Sequence, residues 1–534
     1  MLINQIKSTQ INSKISNKFN VCVSNFTLET PQKVKLIENL NFAQSKGDVL
    51  AIIGDEGVGK TCLLKSIMGI LPSDFTISGK IIANKPYYVS QFTESCYLSR
   101  TPYEFLFLKS PNDTFDDENW NRYTEVASIF DKLNINLDTF FEDDKILANL
   151  SHGELKKLEI VKLILNAPSV ILLDEPTNHL DLSTILWLET FIKNFDGTTI
   201  IVSHDEQFLE NVSTNILFLQ RGKTLKPIYR YSGNGYKEFL KEFEDEVSHS
   251  KEEIEAFKKE QKKQKRELAE FKEKFAEKSK KAKPQNFAEK RRVNRGEKKA
   301  LQQITQKKQD LLNDKDKPEA VELNESIRLL VPNECKVSNG KVMLQFETPL
   351  LKIKDRVLSK NIKLHIQGPE KVVIIGDNGK GKSTLLNEIL TYLKNLNDSS
   401  VNVGYLPQNY QETLENSTLS PVDILKKHSD DITTIKTLLG HMNFKRDDMD
   451  KSISLLSGGQ KCKTLITSLL LQKPNFLFLD EPTNNLYPLS NRAFRQFLID
   501  FPGAALIISH DRMVINEVAT KVYKLTNNGL ELIK

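Results

Sequence analysis

Gly54-Asp55-Glu56-Gly57-Val58-Gly59-Lys60-Thr61 fits the pattern G-x-x-x-x-G-K-[S/T]. Gly376-Asp377-Asn378-Gly379-Lys380-Gly381-Lys382-Ser383 fits it again. An apolar run precedes each copy, Val49-Leu50-Ala51-Ile52-Ile53 and Val372-Val373-Ile374-Ile375, and a helical pattern follows each. Strand, glycine-rich loop and helix in that order make a phosphate cradle. The glycines let backbone N–H groups turn inward. The lysine meets the outer phosphates, the Thr or Ser hydroxyl reaches a Mg²⁺ ion, and the helix N-terminus contributes the positive end of its dipole. Two copies in one chain, each in this setting, argue against coincidence.

Working outward from the loops, more of the chain repeats. Leu150-Ser151-His152-Gly153-Glu154 is mirrored by Leu456-Ser457-Gly458-Gly459-Gln460. Val170-Ile171-Leu172-Leu173-Asp174-Glu175 is mirrored by Phe476-Leu477-Phe478-Leu479-Asp480-Glu481, and Ser203-His204-Asp205 by Ser509-His510-Asp511. Ser151, Glu175 and His204 each lie 306 residues before their counterparts, whereas Lys60 and Lys382 are 322 apart. The chain is therefore a duplication in which the first half carries 16 extra residues between loop and signature. Alternating strand and helix runs predict an α/β fold, with a parallel sheet covered by helices on both faces. Asp174-Glu175 and Asp480-Glu481 end their strands at the carboxyl edge, where ligands bind in such sheets. A lone Ser-His pair is usually structural. Here both copies follow a D-E pair by 29 residues, which favours chemistry.

Composition bounds the rest. The 534 residues are 39 % hydrophobic and 27 % charged, which excludes a fibrous or mostly disordered chain. The five cysteines are scattered, with no C-x-x-C pair, so neither an iron–sulfur cluster nor a zinc knuckle is expected. No apolar run approaches the ~20 residues that span a bilayer, and the first residues lack a signal-peptide pattern. The expectation is a cytoplasmic protein.

The net charge of +5 conceals a segregation. Lys251 to Lys317 holds 23 basic and 13 acidic residues, and within it Lys278 to Lys299 holds 10 basic and 2 acidic. Apolar residues at helical spacing flank Lys283-Pro284-Gln285-Asn286-Phe287, which breaks the helix. The segment reads as two antiparallel helices with a basic tip. A solvated hairpin without a ligand, or a disordered spacer, is the competing reading. Charge concentrated at the turn favours a contact with RNA phosphates through Lys280, Lys281, Lys283, Arg291 and Arg292.

With these residues in view, the chain resembles ATP-binding cassette proteins that have two nucleotide-binding domains and no membrane domain. Within them it looks like the ABC-F group of ribosome-associated ATPases. The run Glu175-Pro176-Thr177-Asn178-His179-Leu180-Asp181, its counterpart Glu481-Pro482-Thr483-Asn484-Asn485-Leu486 and the charged linker carry that resemblance. The second signature and Val331-Pro332-Asn333-Glu334-Cys335 look closer to the eukaryotic members. The resemblance implies two ABC-type P-loop ATPase domains, 1–232 and 333–534, joined by a helical-hairpin linker over 233–332. It also implies the cofactors ATP and Mg²⁺.

The resemblance gives the residues roles. ATP would be held by Gly54, Gly57, Gly59, Lys60 and Thr61, and in the second domain by Gly376, Asn378, Gly379, Gly381, Lys382, Ser383 and Thr384. Each nucleotide would be capped by the other domain's signature, Ser457, Gly458, Gly459 and Gln460 over the first and Ser151 and Gly153 over the second. Mg²⁺ would be held by Thr61, Gln91 and Asp174, and by Ser383, Gln408 and Asp480. Glu175 and Glu481 would polarise the attacking water, with His204 and His510 at the γ-phosphate. The expected partners are the ribosome's large-subunit rRNA and tRNA near the exit site. No membrane or transmembrane subunit is expected, and the chain would be a monomer with its two cassettes paired internally. The alternatives are ribosome protection against antibiotics, a DNA-repair or chromosome ATPase, and a transporter subunit.

Departures from the family pattern predict unequal sites. Glu56 stands where Asn is usual, His152 stands where Gly is usual, and Tyr487 replaces the Asp found at Asp181. Two of these fall on the Lys60 site and one on the Lys382 site, so the Lys382 site should turn over faster. No aromatic residue stands where adenine would stack, since Leu28 and Pro349 lie near those places; GTP could compete. The first-half insert is 11 residues longer than its counterpart, so any ribosome-touching arm there is rudimentary. No additional C-terminal helices are expected after Lys534.

Overall fold

In the computed structural model, the described residues are 19–54, 57–90, 97–107, 123–133, 135–141, 145–178, 180–221, 227–246, 248–249, single positions from 252 to 269, 333–353, 356–377, 380–396, 398–408, 414, 417–442, 444–456, 458–483 and 488–534. They fall into two compact units. Met1–Lys237 and Asn324–Lys534 form one, and Glu238–Leu323 the other.

In the first half of the larger unit, β1 (Val21–Glu29) pairs antiparallel with β2 (Lys35–Gln44) and β4 (Thr76–Ala83). Between them come β3 (Val49–Gly54) and helix α1 (Lys60–Met68). Then follow β5 (Pro86–Val89), β6 (Val170–Asp174), β7 (Thr198–Val202), β8 (Asn215–Arg221) and β9 (Pro227–Ser232). The main sheet runs β5-β6-β7-β3-β8-β9, parallel except for the last pair. Its central strands are buried along their whole length, as the unbroken apolar runs required.

The second half repeats the plan. β10 (Val342–Ile353) and β11 (Arg356–Gln367) form a hairpin. β12 (Lys371–Ile375), β13 (Val403–Leu406), β14 (Phe476–Asp480), β15 (Ala504–Ile508), β16 (Lys521–Thr526) and β17 (Gly529–Leu532) form a sheet of order β13-β14-β15-β12-β16-β17. The expected parallel α/β sheet is present twice. The antiparallel strands β1, β2, β4, β10 and β11 extend beyond that expectation, because alternating half-buried strands signal only weakly next to the buried runs.

Helices position the chemistry. In the first half, α2 (Pro102–Phe107), α3 (Tyr123–Lys132) and α4 (His152–Leu165) enclose an apolar cluster of Phe105, Val126, Phe130, Phe140, Leu158 and Val161. α5 (Leu182–Asn194) and α6 (Glu206–Val212) follow β6 and β7. In the second half, α7 (Lys382–Leu396) follows the phosphate loop. α8 (Pro421–Leu425), α9 (Ile432–His441), α10 (Arg446–Met449) and α11 (Gly458–Leu471) pack around Leu425, Ile435, Leu439 and Ile466. α12 (Pro488–Asp500) and a single π-helical turn at Val514–Val518 complete it.

Among the described residues of the smaller unit, those between 248 and 269 are helical and exposed. The basic tip, with Lys280, Lys281, Lys283, Arg291 and Arg292, lies outside the described residues. No helix among those described is long and apolar enough to cross a membrane.

Candidate functional site

Each phosphate loop turns at a residue that must be glycine. Gly54 has φ +144°, and a Cβ there would sit 1.9 Å from the Leu219 carbonyl oxygen of β8. Gly376 has φ +154°, and a Cβ there would come 3.0 Å from the Leu525 carbonyl oxygen of β16. Each buried loop lysine curls back onto its own loop. Lys60 Nζ donates to Gly54 O at 2.8 Å, and Lys382 Nζ to Gly376 O at 2.6 Å and Asp377 O at 3.2 Å. Burial pulls the Lys382 ammonium below its ordinary range, although Glu481, Asp181 and Asp480 oppose this. Gly57, Gly59 and Thr61, and Gly381, Ser383 and Thr384, lie at the expected places in the loops and the first turns of α1 and α7. Asp55, Glu56, Asn378 and Gly379 are outside the described residues.

The paired carboxylates converge on these loops. Asp174 Oδ1 accepts from Thr61 Oγ1 at 3.1 Å, and Asp480 accepts from the Ser383 hydroxyl. Burial raises both carboxyls above the usual range. Glu175 and Glu481 follow with φ +47° and +48°, a left-handed conformation that a glutamate rarely adopts. Each is held there by its N–H, which donates to the next strand, to Val202 O at 2.8 Å and to Ile508 O at 2.9 Å. Backbone strain that a sheet over-determines is typical of functional positions.

The two histidines meet these glutamates. His204 Nε2 lies 2.9 Å from Glu175 Oε1, and His510 Nε2 lies 3.7 Å from Glu481 Oε1. The His510 N–H donates to Glu481 Oε2 at 3.3 Å. Burial pushes the Glu481 carboxyl up to about 8. Burial, aided by Lys382, pushes the His510 imidazole down to about 4. A carboxyl group whose proton is held near neutral pH suits acid–base work.

The signature of the first half opens α4. Ser151 caps the helix by accepting from the Glu154 N–H, and Glu154 accepts from the Ser151 N–H at 2.7 Å. Gly153 packs on Thr184 of α5, where a Cβ would come 3.1 Å from its hydroxyl. In the second half Gly458 and Gly459 form the first turn of α11, and the Gln460 side chain donates to Asp448 at 3.2 Å. Ser457 and Gln91 lie outside the described residues. Gln408 follows β13 and is exposed.

Further residues surround these groups. Tyr88 donates its hydroxyl to Asp174 Oδ2 at 2.9 Å. Lys156, buried on α4, donates to Ser90 O at 3.1 Å and to Glu159 at 2.7 Å, anchoring the residue before Gln91. Asp181, which caps α5, lies close enough to Lys382 and His510 to raise the pKa of both. Burial works against its own ionisation, but hydrogen bonds from Thr184 and Ser183 prevail and hold it below the usual range. The first half thus contributes a charge to the second half's site. Of these residues only Asp181 stood in a motif, the run from Glu175 to Asp181.

The buried polar atoms Glu175 Oε2, His204 Nδ1, Asp480 Oδ1 and His510 Nε2 have no protein partner. Buried groups of this kind are costly unless something bonds them. Their position beside two phosphate loops fits a nucleotide and a hard cation held by oxygen donors. Thr61 and Asp174, and Ser383 and Asp480, would be the oxygen donors to such a cation. That ion would neutralise charge on the phosphate oxygens.

The family described as "ABC transporter" matches residues 37–178 and 359–484. The ATP-binding protein Uup of Buchnera aphidicola subsp. Acyrthosiphon pisum is 30 % identical over 510 residues, covering 93 % of this chain and 79 % of that protein. The energy-dependent translational throttle protein EttA of Escherichia coli K12 is 27 % identical over 540 residues, covering 93 % and 91 %. ABC transporter F family member 2 of Arabidopsis thaliana is 27 % identical over 543 residues, covering 93 % and 75 %. Among solved structures, the archaeal ribosome recycling factor aABCE1, in complex with the stalk protein aP1, superimposes with a TM-score of 0.59. It is 16 % identical, over 95 % of this chain and 89 % of that one, a likeness of fold alone. The chain belongs to the ATP-binding cassette family, as a twin-cassette ATPase of the ABC-F type.

Proposed function

We propose that this protein is an ATP-driven clamp that binds the ribosome, adjusts translation while its cassettes are closed, and leaves after hydrolysis. The observation that carries this reading is the doubled site, Glu175 with His204 and Glu481 with His510, in a chain that aligns along nearly its whole length with a translational throttle protein. Residues 1–232 and 333–534 are then the two cassettes, and 233–332 is an arm that reaches RNA.

Glu481 would accept a proton from water as the water attacks the γ-phosphate. His510, kept neutral by burial, would hold that water and a phosphate oxygen. Lys382 would leave its loop carbonyls to meet the outer phosphates, and Lys60 would do the same. Ser151 and Ser457 would close each nucleotide from the other side. Binding would then favour one state and hydrolysis release it. The basic tip of the arm would contact rRNA and tRNA phosphates near the exit site. Mg²⁺ as the metal, a monomeric state and a cytoplasmic location complete the reading.

The test is sedimentation of the Glu175→Gln, Glu481→Gln double variant with ATP on a polysome gradient. Co-migration with ribosomes or subunits is expected. Failure to co-migrate would leave the ATPase intact and remove the ribosomal role. Neutralising Lys280, Lys281, Lys283, Arg291 and Arg292 should weaken binding and flatten its salt dependence. Unchanged binding would overturn the contact assigned to the tip.

A further inference from the structure

Two ion pairs, one buried and one partly buried, join the cassettes. Arg495 of α12 donates to both carboxylate oxygens of Glu206, at 2.7 and 3.1 Å, and the two side chains are 3 % and 7 % exposed. Arg512 donates to Glu189 of α5. Supporting contacts lie within each cassette. Asn211 donates to Glu189 at 2.9 Å, and Arg495 donates to Glu517 at 2.8 Å.

The 306-residue repeat relates these residues to one another. Glu189 corresponds to Arg495, Glu206 to Arg512 and Asn211 to Glu517. The two ion pairs are therefore one contact used twice, with the repeat's two positions crossed. Both positions are acidic in the first cassette and basic in the second.

The locations add a second point. Glu206 and Arg512 lie two residues beyond His204 and His510. Glu189 and Arg495 lie on the helices that follow Asp181 and Tyr487. Each pair ties the histidine loop of one cassette to the helix that follows Asp181 or Tyr487 in the other.

We propose that Glu189, Glu206, Arg495 and Arg512 form a pairing key. It matches the first cassette to the second, rejects a like cassette from another copy of the chain, and seats both histidine loops for hydrolysis. Pairing two first cassettes would bury four carboxylates against one another, and pairing two second cassettes would bury four guanidinium groups. A buried charge without its partner is strongly unfavourable, so the discrimination is large in both directions. The four are positioning residues, acting on the histidines through the backbone that carries them.

The test uses the full chain. The variant Glu189→Arg, Glu206→Arg makes all four positions basic. Its turnover number for ATP should fall at least about thirtyfold, while a fluorescent ATP analogue still binds within about threefold of the natural chain, because each phosphate loop is intact. A second variant exchanges the key with its supports: Glu189→Arg, Glu206→Arg, Asn211→Glu, Arg495→Glu, Arg512→Glu, Glu517→Asn. It should regain turnover to within about threefold, since complementarity is restored with reversed sign. A merely local structural role would not be rescued by six simultaneous changes. Natural turnover in the first variant, or turnover in the exchange variant as low as in the first, would overturn the proposal. If the first variant does not fold, the exchange variant decides alone: folded and active supports the key, and folded and inactive or unfolded refutes it.

Discussion

The two candidate sites share a backbone and differ in their side-chain settings. Glu175 and Glu481 have φ values one degree apart, and their N–H groups bond the next strand at 2.8 and 2.9 Å. Yet Glu175 lies 2.9 Å from its histidine and Glu481 3.7 Å from its own. Asp174 has both oxygens engaged, by Thr61 and Tyr88, while Asp480 keeps one oxygen without a partner. Tyr405 stands on β13 where Tyr88 stands on β5, and among the described residues it makes no bond to Asp480. Duplication preserved the strained turn that aims the glutamate. It left the surrounding hydrogen bonds free to diverge. Each site keeps two buried atoms without a protein partner, Glu175 Oε2 and His204 Nδ1 in the first and Asp480 Oδ1 and His510 Nε2 in the second, so the divergence lies in which groups the protein already engages.

The largest expected effect follows directly. Glu481→Gln should lower steady-state ATPase by about two orders of magnitude, the usual contribution of a general base. Glu175→Gln should lower it only several-fold. Equal losses, or the reverse order, in a steady-state phosphate-release assay would erase the functional difference between the sites.

An effect of about tenfold is expected at Asp181. Asp181→Asn retains the cap on α5, since Asn accepts the same hydrogen bond from Thr184. It removes the negative charge that Lys382 and His510 experience from the other cassette. Measured in the Glu175→Gln background, so that the second site dominates, turnover should fall by about tenfold, roughly 1.4 kcal/mol of barrier. An unchanged rate would mean that the first cassette contributes no charge to the second site's chemistry.

A smaller effect separates the tyrosines. Tyr88→Phe removes one hydrogen bond to a carboxylate, worth about 1–2 kcal/mol at most when buried. It should change the Mg²⁺ dependence of nucleotide binding three- to tenfold at the first site. Tyr405→Phe should change nothing. Titrations of a fluorescent nucleotide with Mg²⁺ would show this, and equal behaviour of the two variants would remove Tyr88 from the site.

Much of this was legible in the residues. The loops, the D-E pairs and the histidines were readable because phosphate chemistry demands fixed residue types at fixed spacing, and the 306-residue repeat checked each reading against a second copy. The buried parallel strands were readable from unbroken apolar runs. What could not be read was anything set by contact across the fold. Tyr88 looks like an ordinary strand aromatic until β5 lies beside β6. Arg495 and Arg512 look like surface charges on helix and loop until the cassettes face each other and exclude water from them. Such pairs depend on tertiary juxtaposition, for which no local pattern exists.

The histidine loops offer the finest comparison, through the aspartates that follow each histidine. Asp511 accepts from the Met513 N–H at 2.8 Å, and Asp205 accepts from the Phe208 N–H at 2.9 Å. Burial pushes the Asp205 carboxyl up to about 6, even though Arg512 lies 3.9 Å away and opposes this. Its unfolded value is about 3.9. Between those two values the folded chain binds more protons than the unfolded chain, so this group's contribution to stability falls as pH rises from about 4 to about 6 and stays low above. Asp205→Asn keeps the helix cap and abolishes the titration. The melting temperature at pH 7.5 should therefore rise by about 2 °C, the scale of one kcal/mol or less in a chain this large. The decline in stability between pH 4.5 and pH 6.5 should become shallower by a matching amount. A fall in melting temperature at pH 7.5 would reverse the reading. It would mean that the Arg512 guanidinium more than offsets the burial of the ionised Asp205, so that it binds the first histidine loop through Asp205 as well as α5 through Glu189.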